Sequence, residues 1–179
     1  SNKKINPRVF NLIHKHCDIP VAVGGGIQNI DDAKLYINLG ADKIIITSLF
    51  LDNFNEVIKI SNSIGFQSIS LKLDFKYDHS RSQYRVWDYR RRNFSKIEVH
   101  HIINFLLENP VGEIVIGDIS LDGYMKGVNY EITDLFSKLN TPLVVCCGAG
   151  EPSHFVKASK SGKLSGIAGG SIFCFSQNT

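Results

Sequence analysis

The chain has 179 residues, of which 43% are hydrophobic and 21% are charged. This composition excludes disordered and collagen-like chains, and the length predicts one domain. The net charge of +3 combines both signs, with Arg90-Arg91-Arg92 as the dense basic run, so no nucleic-acid-binding surface is predicted. No stretch approaches the roughly 18 to 20 uncharged apolar residues of a membrane helix, and no signal peptide is recognised, so the predicted location is the cytoplasm.

Six short runs rich in β-branched residues predict strands, because each ends in glycine or a small polar residue. They span residues 21–25, 43–48, 68–74, 113–118, 143–148 and 166–171. Helical patterns lie between them at 31–39, 53–64, 99–107, 130–139 and 152–159, several opening with Asp, Asn or Ser near the cap position. This alternation is the signature of parallel α/β architecture. The apolar run Lys43-Ile44-Ile45-Ile46 also predicts a strand buried on both faces.

One stretch, residues 75–93, breaks the alternation. Within it, Tyr84-Arg85-Val86-Trp87-Asp88-Tyr89 alternates with a period of two residues. The pattern predicts part of a small β-hairpin inserted in the loop between a strand and a helix. Loops of this kind carry function in barrel enzymes.

The chain contains an internal repeat. A constant shift of 122 positions aligns the chain with itself without a gap and pairs Pro20 with Pro142, Val23 with Val145, Gly26 with Gly148 and Gly40 with Gly162. Residues 19–50 and 141–172 are therefore predicted to be related, each with a strand, a glycine-rich turn, a helix, a strand and a small-residue turn. Two such halves would total about 244 residues, close to the length of an eight-stranded (β/α) barrel.

The repeat predicts a (β/α)8 barrel domain over residues 1–179 whose first two strand-helix units are missing. About 55 residues would then precede Ser1. The alternative is a six-stranded open sheet. We favour the incomplete barrel, because an open sheet exposes unpaired backbone groups and apolar faces to water.

Small and polar residues follow the predicted strands of both repeat copies, where a barrel places its reactive groups. Gly24-Gly25-Gly26 would let backbone N–H groups approach an anion, and Thr47-Ser48 would add hydroxyl and amide donors. The repeat-related pair is Gly148-Ala149-Gly150 with Gly169-Gly170-Ser171. Two anion sites facing each other across a barrel would suit a ligand with a phosphate at each end. The alternative is that these glycines only make tight turns.

Acidic residues at two strand ends are candidates for chemistry. Asp74 ends the run 68–74, where a carboxylate facing the barrel mouth can act as a general base. The alternative is an aspartate that caps a helix or anchors the hairpin. Asp118 and Asp122, with Ser120 between them, could bind substrate hydroxyls or make an Asx turn.

The four cysteines are predicted to be thiols rather than disulfides. Cys17, Cys146, Cys147 and Cys174 form no CxxC pair and have no spacing typical of zinc ligands. A catalytic cysteine needs a neighbouring base, and His154 is the nearby candidate for Cys146 or Cys147. Nothing in the sequence calls for a metal ion or an organic cofactor.

Motifs along nearly the whole chain resemble, in order, the cyclase (synthase) subunit of imidazole glycerol phosphate synthase. They are Ile19-Pro20-Val21-Ala22-Val23-Gly24-Gly25-Gly26-Ile27, Gly40-Ala41-Asp42-Lys43, Leu73-Asp74, Gly112-Glu113-Ile114, Asp122-Gly123, Met125-Lys126-Gly127, Cys147-Gly148-Ala149-Gly150 and Ser171-Ile172-Phe173. The resemblance implies a (β/α) barrel with two phosphate sites. It also implies that ammonia from a partner glutaminase reacts with a bisphosphorylated ribulosyl aminoimidazole carboxamide, giving imidazole glycerol phosphate and an aminoimidazole carboxamide ribotide.

The resemblance assigns roles to individual residues. Asp74 matches a catalytic aspartate, whereas the family's first catalytic aspartate would lie before Ser1, so this segment alone is expected to be inactive. Two sets match the phosphate sites: Gly25, Gly26 and Ser48 for one phosphate, and Gly148, Gly170 and Ser171 for the other. Lys43 and Glu113 match the gate of the ammonia path. Asp42 and Gln67 match the face that docks the glutaminase. Physical reasoning alone predicts a salt bridge between Lys43 and Glu113 at the stable bottom face of the barrel.

The chain departs from the family pattern at the substrate mouth. Ser120 stands where the family usually has Asp, Tyr124 where it has Thr, Val128-Asn129 where it has Tyr-Asp, and Cys146-Cys147 where it has Ser-Gly. One alternative is a related synthase that amidinates a nucleotide-linked sugar for surface polysaccharide, which Met125-Lys126-Gly127, Trp87 and Tyr89 would suit. The other alternative is an inactive phosphate-binding barrel.

Overall fold

The computed structural model describes residues 4–175, apart from the side chain of Phe175. The predicted domain also includes residues 1–3 and 176–179, which lie outside the described residues. The chain divides into two compact units. Unit 1 comprises Ser1–Lys72 and Asn109–Glu113, and unit 2 comprises Leu73–Glu108 and Ile114–Thr179.

Strands and helices alternate along the described residues. The strands are β1 (Ala22–Gly24), β2 (Lys43–Ile46), β3 (Ile69–Asp78), β4 (Gln83–Asp88), β5 (Asn93–Phe94), β6 (Glu113–Asp118), β7 (Leu143–Cys146) and β8 (Gly166–Ile167). The α-helices are α1 (Pro7–His16), α2 (Ile30–Asn38), α3 (Ser48–Asp52), α4 (Phe54–Ile64), α5 (Val99–Glu108), α6 (Glu131–Asp134), α7 (Pro152–Lys160) and α8 (Ser171–Phe175). Short 3-10 turns cover Phe66–Ser68 and Ile119–Leu121. All six predicted strands are present, and the parallel α/β class is confirmed.

Unit 1 is built on a parallel sheet of β1, β2 and the first half of β3. Ala22 lies opposite Lys43, and Ile44 lies opposite Ile69. Ile44 and Leu71 are fully buried in this sheet. Helix α2 packs against both β2 and α4, so the apolar residues of the strands are covered by helices, as parallel sheets require.

Asparagine caps start three helices of unit 1. The side chains of Asn6, Asn29 and Asn53 each accept a hydrogen bond from a backbone N–H in the first turn of α1, α2 and α4. These bonds satisfy donors that have no partner inside the helix. Helix α1 was not among the predicted helices, although Asn6 followed by Pro7 is a helix-start signal.

Unit 2 combines a parallel sheet with the predicted hairpin. Strands β6, β7 and β8 pair in parallel, with Ile114 opposite Leu143 and Val144 opposite Gly166. The second half of β3 pairs antiparallel with β4, and β4 pairs with β5. The predicted hairpin is therefore present, and β3 itself supplies its first arm.

Several predicted boundaries were wrong for local reasons. The run 43–48 was predicted as one strand, but β2 ends at Ile46 and Ser48 begins α3; likewise Ser171 begins α8 rather than ending β8. The predicted helix 130–139 is α-helical only over Glu131–Asp134, because the chain continues in turns with hydrogen bonds such as Phe136 N–H to Thr133 O. Burial of β2 on both faces was also wrong, since Ile45 is only half-buried and lines a cavity.

The predicted repeat has local counterparts in the structure. Helix α2 shifted by 122 positions coincides with α7, residue for residue. Gly26 and Gly148 have φ angles of +74° and +91°, and Gly40 and Gly162 have +101° and +65°. These likenesses support the repeat, which stays a prediction for the chain as a whole.

Ion pairs hold the hairpin to the chain that follows it. Arg85 Nη1 lies 2.9 Å from Asp78 Oδ2, and Arg85 Nη2 donates to the backbone oxygen of Ser95. Arg81 pairs with Glu98 at 2.9 Å. Hydrogen bonds from Ser80 and then the Arg85 guanidinium lower the pKa of Asp78 to about 2.

No helix within residues 4–175 has the length and apolar character needed to cross a membrane.

Replacing Asp78 with Asn tests the contribution of this carboxylate. The pKa of Asp78 is lower in the folded state than its ordinary value of 3.8. The carboxylate therefore stabilises the fold fully above about pH 4, and this stabilisation is lost as the pH falls towards 2. We expect D78N to have a lower free energy of unfolding than the wild type at pH 7, with the difference shrinking below about pH 4. Urea unfolding across this pH range measures it. D134N, which removes the exposed pair with Lys163, is the control. A D78N difference that stays constant down to pH 2 would contradict this account.

Candidate functional site

A cavity of about 500 Å³ in unit 1 lies beside β1 and β2. It brings together two residues predicted for a phosphate site, Gly25 and Thr47. Lys72 and apolar side chains on and before α1, around β1 and in β2 complete its lining; these apolar residues include Ile5, Val9, Phe10, Ile13, Val21, Val23 and Ile45. Gly26 and Ser48, predicted for the same site, are not among the residues that line this cavity.

The first glycine turn has a backbone that other residues would not tolerate. A Cβ atom on Gly24 would lie 2.6 Å from Cβ of Ile45, and Gly25 has a φ of +110°. A Cβ atom on Gly26 would lie 2.9 Å from Cα of Lys4. The turn therefore needs glycine at each position for close approach or for a positive φ, with or without a ligand.

Lys72 is a candidate that sequence reasoning missed. It is the charged residue in the otherwise small and apolar β3 segment 69–73, and it lines the same cavity as Gly25 and Thr47. A lysine within an otherwise uncharged strand is the sequence signal that could have identified Lys72. Of the described residues that line the cavity, Lys72 is the one whose side chain carries a formal positive charge.

The second glycine turn, in unit 2, packs tightly against the loop from Met125 to Gly127. A Cβ atom on Gly148 would lie 2.1 Å from the Gly127 oxygen, and one on Gly150 would lie 2.3 Å from Met125 Cβ. The Gly127 N–H donates to the Gly148 oxygen at 2.8 Å. Packing alone therefore explains both glycines. The Gly150 N–H, predicted as an anion donor, donates instead to His154 Nδ1 at 3.1 Å.

Gly170 and Ser171 lie at the start of α8. A Cβ atom on Gly170 would meet no atom within 4 Å, so space is open beside this residue. By contrast, a Cβ atom on Gly169 would lie 2.8 Å from the Phe155 ring. Open space, rather than packing, thus distinguishes Gly170 from Gly148, Gly150 and Gly169.

Asp74 lies inside β3 rather than at its end. The strand continues to Asp78, because residues from Phe75 onward pair with β4. The Asp74 side chain is buried, with 4% exposure. Asp74 therefore lies after the segment that pairs with β2 and directly before the hairpin segment.

A polar network follows β6 in unit 2. Asn129 Nδ2 donates to Asp118 Oδ2 at 2.8 Å and to the Tyr84 hydroxyl at 2.7 Å. Asp118 is buried and also accepts from the Ser120 N–H, so it makes the Asx turn that was considered for this region. Burial raises the pKa of Tyr84, and the nearby Asp118 adds to this effect while the Asn129 bond opposes it. Asp122 is exposed.

The opposite edge of the unit 1 sheet carries the strand starts. Lys43 and Glu113 form an ion pair there, as the physical reading predicted. Asp42 accepts a hydrogen bond from the Val21 N–H at 2.7 Å. Gln67 is exposed in the turn before β3.

Apolar side chains are exposed close to these strand starts. Ile19, before β1, is 72% exposed, and Phe66, before β3, is 41% exposed. Neither residue was predicted to lie at the surface. Burial of such exposed apolar side chains would favour association with a partner protein.

The cysteines are present as thiols. His154, the predicted base for Cys146 or Cys147, has other partners: its Nδ1 accepts from Gly150, and its Nε2 lies 3.6 Å from Glu151 Oε1. This geometry does not favour a catalytic Cys-His pair. Among residues 4–175, no group of three or more His, Cys, Asp or Glu residues could hold a metal ion.

Several known proteins that this chain is similar to carry the same subunit name. The putative imidazole glycerol phosphate synthase subunit HisF of Leptospira borgpetersenii is 28% identical over 174 residues, covering 97% of this chain and 68% of that protein. The HisF subunit of Buchnera aphidicola is 30% identical over 178 residues, covering 96% and 69%. A putative hisF2 subunit of Campylobacter jejuni is 32% identical over 166 residues, covering 92% and 65%.

The chain spans about two thirds of the length of these curated relatives. The model of the family described as histidine biosynthesis protein matches residues 1–179. This match, with the parallel α/β fold, shows that the chain belongs to the (β/α)-barrel family of histidine biosynthesis proteins.

Proposed function

We propose that this protein is the ammonia-using synthase subunit of a glutamine amidotransferase. Its reaction would convert a bisphosphorylated ribulosyl aminoimidazole carboxamide to imidazole glycerol phosphate. Family membership and the HisF names of the relatives support this proposal. The observation that carries it is the unit 1 cavity, where Gly25 and Thr47 lie with Lys72.

The cavity suits the phosphate end of a small substrate. Its volume of about 500 Å³ is in the range of small-molecule sites, and its mostly apolar lining contains a few polar groups. The Thr47 hydroxyl can donate a hydrogen bond, and the Lys72 ammonium supplies a cation for the anion. In unit 2, Gly148, Gly170 and Ser171 are proposed for a second phosphate, with Asp122 near the substrate. We leave Gly150 out of this second set, because its N–H donates to His154 Nδ1.

Asp74 is proposed as the acid–base residue of the chemistry. The Asp74 side chain is almost completely buried, so a proton passed between it and a bound substrate would be shielded from bulk water. General acid–base groups of this kind contribute about 10² to 10⁴ in rate.

The strand starts of unit 1 are proposed as the entry side for ammonia. The Lys43–Glu113 ion pair would act as the gate, and Asp42 and Gln67 would contact the glutaminase subunit. The exposed Ile19 and Phe66 support a protein partner at this edge, since their burial would favour association.

Asp74→Asn tests the catalytic proposal. With the full coding sequence expressed, ammonia-dependent turnover should fall by about 10² or more, because the amide cannot exchange the proton. Binding of inorganic phosphate should stay within about twofold, since Asn is isosteric. The absorbance decrease of the bisphosphorylated substrate measures turnover. D134N is the matched surface control.

Three outcomes would overturn parts of this proposal. Unchanged turnover in D74N would remove Asp74 from the mechanism. Tight substrate binding by the wild type without turnover would indicate a phosphate-binding barrel without activity. Neither binding nor turnover would redirect the assignment to amidination of a nucleotide-linked sugar.

Lys72→Met tests the cavity as an anion site. Methionine keeps much of the apolar stem but removes the charge, so the affinity for inorganic phosphate should fall about tenfold or more, the value expected for a charged hydrogen bond. Isothermal titration calorimetry measures the affinity. K76M, four residues further along β3, is the control, because Lys76 lies over the Trp87 ring. Equal phosphate affinity in K72M and K76M would show that the Lys72 ammonium takes no part in binding phosphate.

Lys43→Met tests the gate. Glutamine-dependent turnover with the glutaminase subunit should fall about tenfold more than turnover with added ammonia, because free ammonia can reach the site by other routes. The ratio of the two rates is the measurement. K59M breaks a surface pair with Glu56 and should leave the ratio unchanged. An unchanged ratio in K43M would exclude a gating role for this pair.

A further inference from the structure

Two adjacent cysteines lie side by side where β7 ends. The sulfur atoms of Cys146 and Cys147 are 3.7 Å apart. Both side chains are half-buried thiols, so small reagents can reach them. This distance is close to the contact distance of two sulfur atoms and requires only a local movement to form a bond.

The backbone turns both thiols to the same side. Successive side chains of a strand point to opposite faces, so the two residues would point apart if β7 continued. Cys147 instead has a φ of +69°, in the left-handed region. Both sulfur atoms then lie near Gly117, which faces Cys146 across β6 and β7. A Cβ atom on Gly117 would lie 2.6 Å from Cys146 Sγ and 2.8 Å from Cys147 Sγ.

The conformation of Cys147 is unfavourable for a residue with a side chain. The position 122 residues earlier in the chain is Gly25, whose φ is +110°. Glycine adopts such angles readily, whereas other residues rarely do. A strained cysteine beside a second thiol, with a glycine opposite that leaves room for both sulfur atoms, points to a role for the thiol pair.

We propose that Cys146 and Cys147 form a peroxide-reactive dithiol site that closes to a disulfide between adjacent residues. One thiolate attacks an oxygen of hydrogen peroxide, the O–O bond breaks, and a sulfenic acid and hydroxide result; the hydroxide takes up the proton that the thiol had released and becomes water. The second thiolate attacks this sulfur and displaces hydroxide, which takes up a proton as water. Two thiols are thereby oxidised to one disulfide, and one peroxide is reduced to two water molecules.

The disulfide should be easily reduced. Adjacent Cα atoms are about 3.8 Å apart across a trans peptide, below the span of about 4.4 to 6.8 Å that disulfides usually bridge. Strained disulfides have more oxidising potentials and are the labile ones. The site would therefore be reversible. Its chemistry does not depend on the proposed function.

The test uses the protein carrying C17S and C174S, which leaves Cys146 and Cys147 as the cysteines of residues 1–179. After treatment with equimolar hydrogen peroxide, the intact mass should fall by two hydrogen atoms, and dithiothreitol should restore it. Peptide mapping should locate the bond within the segment that contains both cysteines. Dimedone, which traps sulfenic acid, should label little of this protein because the second thiol reacts first.

Single variants provide the matched controls. In the same background, C146S or C147S should accumulate the dimedone adduct, since no resolving thiol remains. Dimedone labelling of the two-cysteine protein equal to that of the single variants would overturn the proposal. Disulfide-linked dimers on a non-reducing gel, in place of the intrachain bond, would also overturn it.

A second measurement does not depend on oxidation. Phenylarsine oxide, a trivalent arsenical that bridges two neighbouring thiols, should add one equivalent to the two-cysteine protein in native mass spectrometry. Either single variant should reduce its apparent affinity at least tenfold. Equal binding to all three proteins would show that the two thiols do not act as a pair.

Discussion

The register of the parallel strands in unit 1 decides where each candidate group lies. Because Ala22 faces Lys43 and Ile44 faces Ile69, the starts of these strands share one edge and their ends share the other. Lys43 and Glu113 meet at the first edge, while Gly25 and Thr47 meet across the cavity beside the other strand ends. A slip of one residue in this register would exchange buried and exposed side chains along the strand and separate these groups.

The backbone conformation and close packing of the glycine-rich turns require glycine whether or not a ligand binds. Gly148 and Gly150 are required by the approach of the loop at Met125 and Gly127, and one of their amides is used by His154. Gly25 combines a positive φ with a place in the cavity lining. Ligand binding is therefore better argued from the neighbouring side chains Thr47 and Lys72 than from the glycines themselves.

Much of the fold could be read from the sequence because its signals are local. β-branched runs predicted all six strands of the parallel set, and the alternation near Tyr84 predicted the hairpin. The predicted boundaries of strands and helices were wrong where tertiary contacts lengthen or shorten an element. β3 runs past Asp74 because β4 pairs with it, and the helix predicted for 130–139 ends early because its chain continues in turns. Lys72 and the exposed Ile19 and Phe66 were missed, since the lining of a cavity and the exposure of an apolar side chain depend on distant segments.

The sequence by itself determined the parallel α/β class, the repeat-like spacing of the glycine turns and the family resemblance, because each depends on residue type and order along the chain. The tertiary structure decided which polar atoms meet. It placed Asn129 between Asp118 and Tyr84, and it turned the sulfur atoms of two adjacent cysteines towards Gly117. These contacts depend on strand register and on single φ angles, which packing between segments far apart in the chain selects and which local residue preferences do not specify.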